Sequence, residues 1–275
     1  MFAINKYPDG TSYAVVHPIQ EFTFKINSYE DLWHLNQVID AQNNLGITPT
    51  VIIPNLIDAQ ADRRFADNQS SGLKLVCKLL NSMKANFKVF HPHNPEVVEA
   101  LLDRVEIIDN RIFVQSVFDY LTRKTNNVNS VYDNLMLFSS DAGGFKPLIK
   151  LADKLNWRGE VYGASKSRKY EDNKTKLIQV IDRQDFQGKD ILIIDDICVY
   201  GGTFVGLAKM LREKNCGKLY LAVSHITVEK PNPELFSLFD EIFTTNSKFE
   251  ELFPIVHKDK GGASKAKNLH IIKHF

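Results

Sequence analysis

The stretch "DILIIDDICVYGGTFVGLAKMLREKNCGKLYLAVSHIT", residues 190–227, constrains the fold more than any other part of the chain. The run ILII reads as a buried strand, and KLYLAV reads as a second one. Between them lie a glycine turn and FVGLAKMLREK, whose apolar residues fall at helical spacing. Strand, helix and strand in that order need a crossover connection, which makes the two strands parallel. The same alternation recurs from one end of the chain to the other. "YAVVHPI" reads as the first strand, "YEDLWHLNQVIDAQNNLG" as a helix closed by Gly46, and "TPTVIIPNL" as a buried strand. "SGLKLVCKLLNSMKA" follows as a helix with Ser70 or Ser71 as its N-cap, then "FKVFHP" as a strand and "NPEVVEALLD" as a helix. "NLMLFSSDAGG", "FKPLIKLADKLN" and "VYGASKSR" resume the pattern.

The expected fold is therefore α/β, in two Rossmann-like halves, each a mostly parallel sheet with helices on both faces. The polar, asparagine-rich "LTRKTNNVNSVYD" is read as the connection, which divides the chain into residues 1–130 and 131–275. A length of 275 residues suits two such units.

Composition narrows the function classes. Lys and Arg number 34 against 33 Asp and Glu, so charge offers no argument for nucleic acid or a membrane surface. No apolar run reaches the roughly 18 residues of a membrane helix. MFAINKYPDG lacks the layout of a signal peptide. Cys77, Cys198 and Cys216 are odd in number and lack metal-ligand spacing, which fits reduced thiols in the cytoplasm.

Asp195 and Asp196 are read as the first polar residues at the end of a buried strand. Gly201 and Gly202 permit a turn whose N–H groups converge on an anion, and the helix that follows adds its dipole. Carboxylates accept hydrogen bonds from sugar hydroxyls, and the adjacent N–H groups suit a phosphate. Together they fit a ribose 5-phosphate unit.

This stretch resembles the phosphoribosyl-pyrophosphate loop of type I phosphoribosyltransferases and of phosphoribosyl-pyrophosphate synthetases, also called ribose-phosphate pyrophosphokinases. Further segments resemble the synthetases and occur in the same order. "SSDAGG" (Ser139–Gly144) is similar to the P-D-x-G-G segment and "SKSR" (Ser165–Arg168) to the K-x-R that opens a mobile catalytic loop. "PNLIDAQADRR" (Pro54–Arg64) is similar to the nucleotide segment, "FHPHN" (Phe90–Asn94) to the D-x-H segment, and "YPDG" (Tyr7–Gly10) to F-x-D-G-E. "SHIT" and "TTNS" nearer the C-terminus also fit.

The resemblance implies a type I phosphoribosyltransferase fold, with an ATP-binding first half and a ribose-phosphate-binding second half. It implies transfer of the β,γ-diphosphate of ATP to the anomeric hydroxyl of a ribose 5-phosphate unit, with Mg²⁺ bridging phosphates and AMP leaving. Lys166 and Arg168 are then the catalytic candidates. Tyr7, Asp9, Gln60, Asp62, Arg63 and His93 are the ATP candidates, and His93 and Asp141 the metal-proximal ones. Asp195, Asp196, Tyr200, Gly201, Gly202 and Thr203 would hold the ribose and its phosphate. The polar run "KYEDNKT" is read as a loop that closes over substrate. A homodimer or higher homo-oligomer is also implied.

The chain departs from the family pattern at several positions. The loop usually reads D-D-x-x-D-T-G-G-T, and here its second D-T is Val199-Tyr200. Gln60-Ala61 replace Arg-Gln, Thr11 replaces a glutamate, and His91 replaces an aspartate. Losing a phosphate-binding hydroxyl and gaining an aromatic at Tyr200 suits an acceptor whose phosphate continues into another group. ADP-ribose is such an acceptor. In length and divergence the chain is similar to phage-type, synthetase-like enzymes that make ADP-ribose 1-pyrophosphate for NAD⁺ resynthesis, which would place it in a host cytoplasm. Ribose 5-phosphate is the next acceptor. The alternatives are a phosphoribosyltransferase acting on a base such as nicotinamide, and a non-catalytic nucleotide-binding partner of a synthetase.

Overall fold

The N-terminal segment is a hairpin, where the sequence reading expects YAVVHPI to be the first strand. In the computed structural model, which describes residues 2–125, 133–171, 174–252, 255–258 and 262–275, β1 (Phe2–Lys6) pairs antiparallel with β2 (Ser12–Val16). The apolar signal of β1 rests on Phe2 and Ile4 alone, and its order comes from the ladder to β2.

The elements β3 (Glu21–Thr23), α1 (Tyr29–Asn44), β4 (Thr50–Ile53), α2 (Gly72–Ser82), β5 (Asn86–Phe90), α3 (Pro95–Leu101) and β6 (Val105–Ile108) then alternate as expected. Their strands form a parallel sheet in the order β3-β4-β5-β6. Helix α1 opens with a capping box, in which Ser28 Oγ accepts from Asp31 N–H at 3.2 Å and Asp31 Oδ2 accepts from Ser28 N–H at 2.8 Å. It buries Leu32, Leu35, Val38 and Ile39 in the same core as Leu73, Val76, Cys77 and Leu80 of α2. Ser71 occupies the N-cap of α2 without capping it. Its hydroxyl instead donates to the Ala61 carbonyl at 3.3 Å, a use for the side chain that chain position alone does not reveal.

The chain divides into two compact units, residues 1–110 with Phe275, and residues 111–274. Helix α4 (Arg111–Thr125) therefore belongs with the second unit. Tyr120 sits edge-on to Phe243 at 5.2 Å, Phe118 stacks on Trp157, and Lys124 pairs with the buried Glu241. Leu121–Thr125, read from sequence as the start of the connection, form the last turns of α4. Residues 126–132 of that segment lie outside the described residues.

The second unit continues with β7 (Leu135–Ser139), α5 (Ala142–Lys154), β8 (Val161–Gly163), β9 (Ser165–Glu171), β10 (Lys174–Val180), β11 (Asp190–Cys198) and α6 (Gly202–Glu213). After these come β12 (Leu219–Ile226), α7 (Pro233–Leu238), β13 (Glu241–Thr245), β14 (Ile255–Lys258), β15 (Gly262–Lys265) and β16 (Leu269–Ile272). Six strands make a parallel sheet ordered β16-β13-β12-β11-β7-β8. The run ILII of β11 is buried at its centre, and α6 packs there through Phe204, Val205, Leu207, Ala208 and Leu211.

β9 and β10 form an antiparallel hairpin, where the sequence reading expects SKSR to open a loop through KYEDNKT, of which residues 172–173 lie outside the described residues. The residue types are polar enough for a loop, but the ladder from Ser165↔Val180 to Glu171↔Lys174 satisfies the backbone groups. Among the described residues no helix is long and apolar enough to cross a membrane.

Candidate functional site

From β7 the chain moves to β8 at one side of the large sheet, and from β11 it moves to β12 on the other. The order reverses between β7 and β11, and in open parallel sheets such a switch point is where a crevice opens beyond the strand ends. Both segments singled out in the second unit, Ser139–Gly144 and Asp195–Thr203, begin in the last residues of these two strands and continue into the turns after them.

The aspartate pair, read from sequence as ending its strand, lies inside it. β11 runs through to Cys198, and its pairing with β12 continues to Cys198↔Ile226. Its pairing with β7 stops at Ile194↔Ser139, so Asp195 and Asp196 lie where β11 has lost its neighbour on that side. Both are partly buried. Asp195 Oδ2 accepts a short hydrogen bond from Ser140 Oγ, and Oδ1 accepts from Asp196 N–H at 2.9 Å. Burial first, and then the charge of Asp196, raise the Asp195 carboxyl to about 7.

The turn after β11 has two glycines with different reasons to be glycine. Gly201 has φ +84°, in the left-handed region, and a Cβ there would come within 3.3 Å of the Leu235 methyls. Gly202 has neither constraint, since a Cβ there would meet nothing within 4 Å. It is exposed at the first position of α6, where glycine weakens a helix. The protein's own packing therefore does not account for Gly202. Gly201 is the N-cap and provides no side-chain cap, so the first-turn N–H groups of α6 are left for solvent or an anion. Thr203 is exposed beside them. Tyr200 is 68% exposed, and its carbonyl accepts from Asn232 N–H at 2.9 Å.

Asp141 is the N-cap of α5, where its Oδ1 accepts from Gly144 N–H at 3.0 Å. Lys166 and Arg168 lie on β9, opposite Gln179 and Leu177 of β10, and their side chains lie outside the described part of the structure. Gln179, which the sequence reading passed over, donates from Nε2 to the Ser140 carbonyl at 3.0 Å. The only sequence signal for it is an amide inside the apolar run LIQVI. The "SHIT" and "TTNS" segments are buried together at the ends of β12 and β13. There His225 Nδ1 lies 2.8 Å from Ser247 Oγ, and Thr245 Oγ1 donates to the Ser224 carbonyl at 2.7 Å.

In the first unit, Tyr7 and Asp9 form the exposed tip of the β1–β2 hairpin. Asp9 Oδ1 accepts from Thr11 Oγ1 at 2.7 Å and from Thr11 N–H at 3.0 Å, and these bonds hold its carboxyl below the usual value. The Tyr7 ring lies 4.6 Å from that of Tyr13. Asp62 Oδ2 accepts from Asn94 Nδ2 at 3.2 Å and lies 3.8 Å from Arg63 Nε. This joins the nucleotide-like segment to "FHPHN", two stretches far apart in sequence. Gln60, Arg63 and His93 are exposed. His91, the departure from the family aspartate, has φ +36°.

Among the described residues no three His, Cys, Asp or Glu side chains converge as a metal cage. Of the two metal-proximal candidates, Asp141 offers hard carboxylate oxygens. Such a donor fits Mg²⁺ held through few protein ligands.

The structure is similar to the crystal structure of phosphoribosylpyrophosphate synthetase from Mycobacterium smegmatis, with a TM-score of 0.73 at 18% identity over 99% of this chain and 86% of that one. At that identity the likeness is one of fold. The ribose-phosphate pyrophosphokinase of Nostoc sp. is 29% identical over 214 residues, covering 77% of this chain and 59% of the relative. That of Aquifex aeolicus is 27% identical over 201 residues, with 72% and 60% covered. That of Pyrococcus furiosus is 23% identical over 251 residues, with 89% and 85% covered. The match thus spans about three-fifths of the length of the first two relatives. Residues 104–257, more than half of the chain, match the phosphoribosyl transferase domain. The chain belongs to the phosphoribosyl transferase domain family, and its relatives there are ribose-phosphate pyrophosphokinases.

Proposed function

We propose that the protein is an ATP-dependent diphosphotransferase acting on the anomeric hydroxyl of a ribose 5-phosphate unit. The observation that carries this reading is the pairing of Asp195 and Asp196 with the uncapped start of α6 at the switch point of the sheet, next to a Gly202 that the fold itself does not require. The names of the relatives support the reaction type.

In the reaction, the anomeric oxygen attacks the β-phosphorus of ATP. The bond from that phosphorus to the α,β-bridging oxygen breaks, AMP leaves with the oxygen, and the hydroxyl proton is released. Asp195 and Asp196 accept hydrogen bonds from the ribose hydroxyls and orient the attacking oxygen. Gly201, Gly202 and Thr203 hold the 5′-phosphate. Lys166 and Arg168 neutralise charge on the transferred diphosphate and on AMP. Tyr7, Asp9, Gln60, Asp62, Arg63 and His93 are assigned to ATP. Asp141 and His93 are the residues that would stand near Mg²⁺, which when bound offsets phosphate charge.

Two acceptors fit. The relatives' names favour ribose 5-phosphate. An exposed Tyr200 at the edge of the phosphate turn favours an acceptor that continues beyond its phosphate, and ADP-ribose is the one we favour. The three cysteines are unpaired, which suits the cytoplasm. We further propose assembly as a homodimer or larger homo-oligomer.

The test is AMP release from ATP and Mg²⁺ with each acceptor in parallel. Release that depends on an acceptor supports the reading, and its absence with both sinks it. Pyrophosphate release from phosphoribosyl pyrophosphate and a base, without ATP, would indicate a phosphoribosyltransferase. Thermal stabilisation by nucleotide without turnover would indicate a binding partner.

A further inference from the structure

The β9–β10 hairpin, which carries Lys166 and Arg168, is anchored by both feet to consecutive carbonyls of one dipeptide. At the β9 foot, the buried Ala164 donates its N–H to the Ser139 carbonyl at 3.0 Å. At the β10 foot, the Gln179 side chain donates from Nε2 to the Ser140 carbonyl at 3.0 Å. Gln179 is also the ladder partner of Lys166. The Ser140 hydroxyl, in turn, donates to Asp195 Oδ2. The opposite side of the Gln179 amide faces α6, since a Cβ on Gly206 would lie 3.6 Å from Gln179 Oε1. One side chain thus bonds to the turn after β7 and faces the helix that begins at the phosphate turn.

We propose that Gln179 is a positioning residue that sets the Lys166–Arg168 strand relative to the Asp195 carboxylate, acting through the Ser140 carbonyl. This rests on the proposed diphosphate transfer. A two-stranded hairpin is marginal by itself, so its placement depends on what clips it down. The β9 foot is held by a backbone bond that any residue supplies. The β10 foot is held by the Gln179 amide together with the buried Ile181 that follows β10, and mutation can remove the amide without touching a reacting atom.

The experiment compares wild type with Gln179→Met, which keeps the length and removes the donor, and with Gln179→His, which keeps a ring N–H. Loss of one hydrogen bond should speed amide exchange in β9 and β10 by about tenfold, with β7, β11 and β12 unchanged. In the same variant kcat for AMP release should fall by about tenfold, with the acceptor KM held, because the chemistry loses alignment while the phosphate turn is intact. Gln179→His should recover most of both losses. Unchanged hairpin exchange in Gln179→Met overturns the proposal, as does exchange that rises throughout the second unit, which would mark a general structural role. If wild type releases no AMP, the proposed function fails, and the exchange comparison still decides whether Gln179 holds the hairpin.

Discussion

The Ser140 hydroxyl donates a hydrogen bond to Asp195 Oδ2, which ties the turn after β7 to the carboxylate on β11. That bond is among the forces opposing the upward shift of the Asp195 carboxyl, whose largest cause is burial. Removing it with Ser140→Ala should raise the carboxyl further above about 7. If the ribose hydroxyls need an ionised Asp195, activity rises through that range as pH increases. Ser140→Ala should therefore move the acidic limb of the kcat/KM profile upward by about one pH unit. A limb that stays in place would separate Asp195 ionisation from acceptor binding.

The same shift predicts a stability effect of definite sign. A carboxyl raised from 3.8 to about 7 in the folded state favours folding most below the unfolded value, and that contribution is lost as pH rises from about 4 through about 7. Asp195→Asn cannot ionise, so it should flatten this part of the pH dependence. At pH 8, without ligands, its thermal midpoint should exceed that of wild type by about 2–4 °C, the equivalent of ~1 kcal/mol. AMP release should collapse in the same variant. A lower midpoint at pH 8 would show that the carboxylate is stabilised by its surroundings.

Adjacent glycines should respond in opposite ways. Gly201→Ala places a Cβ in a left-handed backbone against Leu235 and should cost about 1–2 kcal/mol in urea unfolding. Gly202→Ala meets open space at the start of α6 and should leave stability unchanged or raise it by up to ~1 kcal/mol. The acceptor KM should nonetheless rise at Gly202→Ala, because the added methyl occupies the approach to the N–H groups. An unchanged KM would take the phosphate away from this turn.

Lys166→Ala should lower kcat by about a hundredfold to a thousandfold, the usual effect of removing a group that meets transition-state charge, without lowering the thermal midpoint. Arg168→Ala should do the same. Turnover near the wild-type rate in either variant would remove that residue from the catalytic set.

Much of the second unit was legible because it is built from continuous apolar runs. ILII in β11 and LYLAV in β12 are buried on both faces of a parallel sheet and have no other plausible use. The β9–β10 hairpin was not legible, because SKSRKYE has no apolar alternation and is ordered by a partner strand. Helix α4 was overlooked for a related reason. Its buried Phe113, Val117 and Leu121 are spaced for a helix, but the polar run after Leu121 drew the boundary toward residue 130. In the candidate site, Asp195, Asp196 and the glycines stand together in the chain and could be read there. Ser140 and Gln179 are joined to Asp195 only by folding. The Asp62–Asn94 bond lies between these cases, since both segments were singled out but nothing in the sequence placed them in contact.

The two clips on Ser139 and Ser140 also bear on how the chain tolerates changes of length. A residue inserted between Ser139 and Ser140 would shift one carbonyl relative to the other, pulling apart the two feet of the hairpin and the hydroxyl that serves Asp195. Libraries that vary length should therefore lose function when a single residue is added between Ser139 and Ser140.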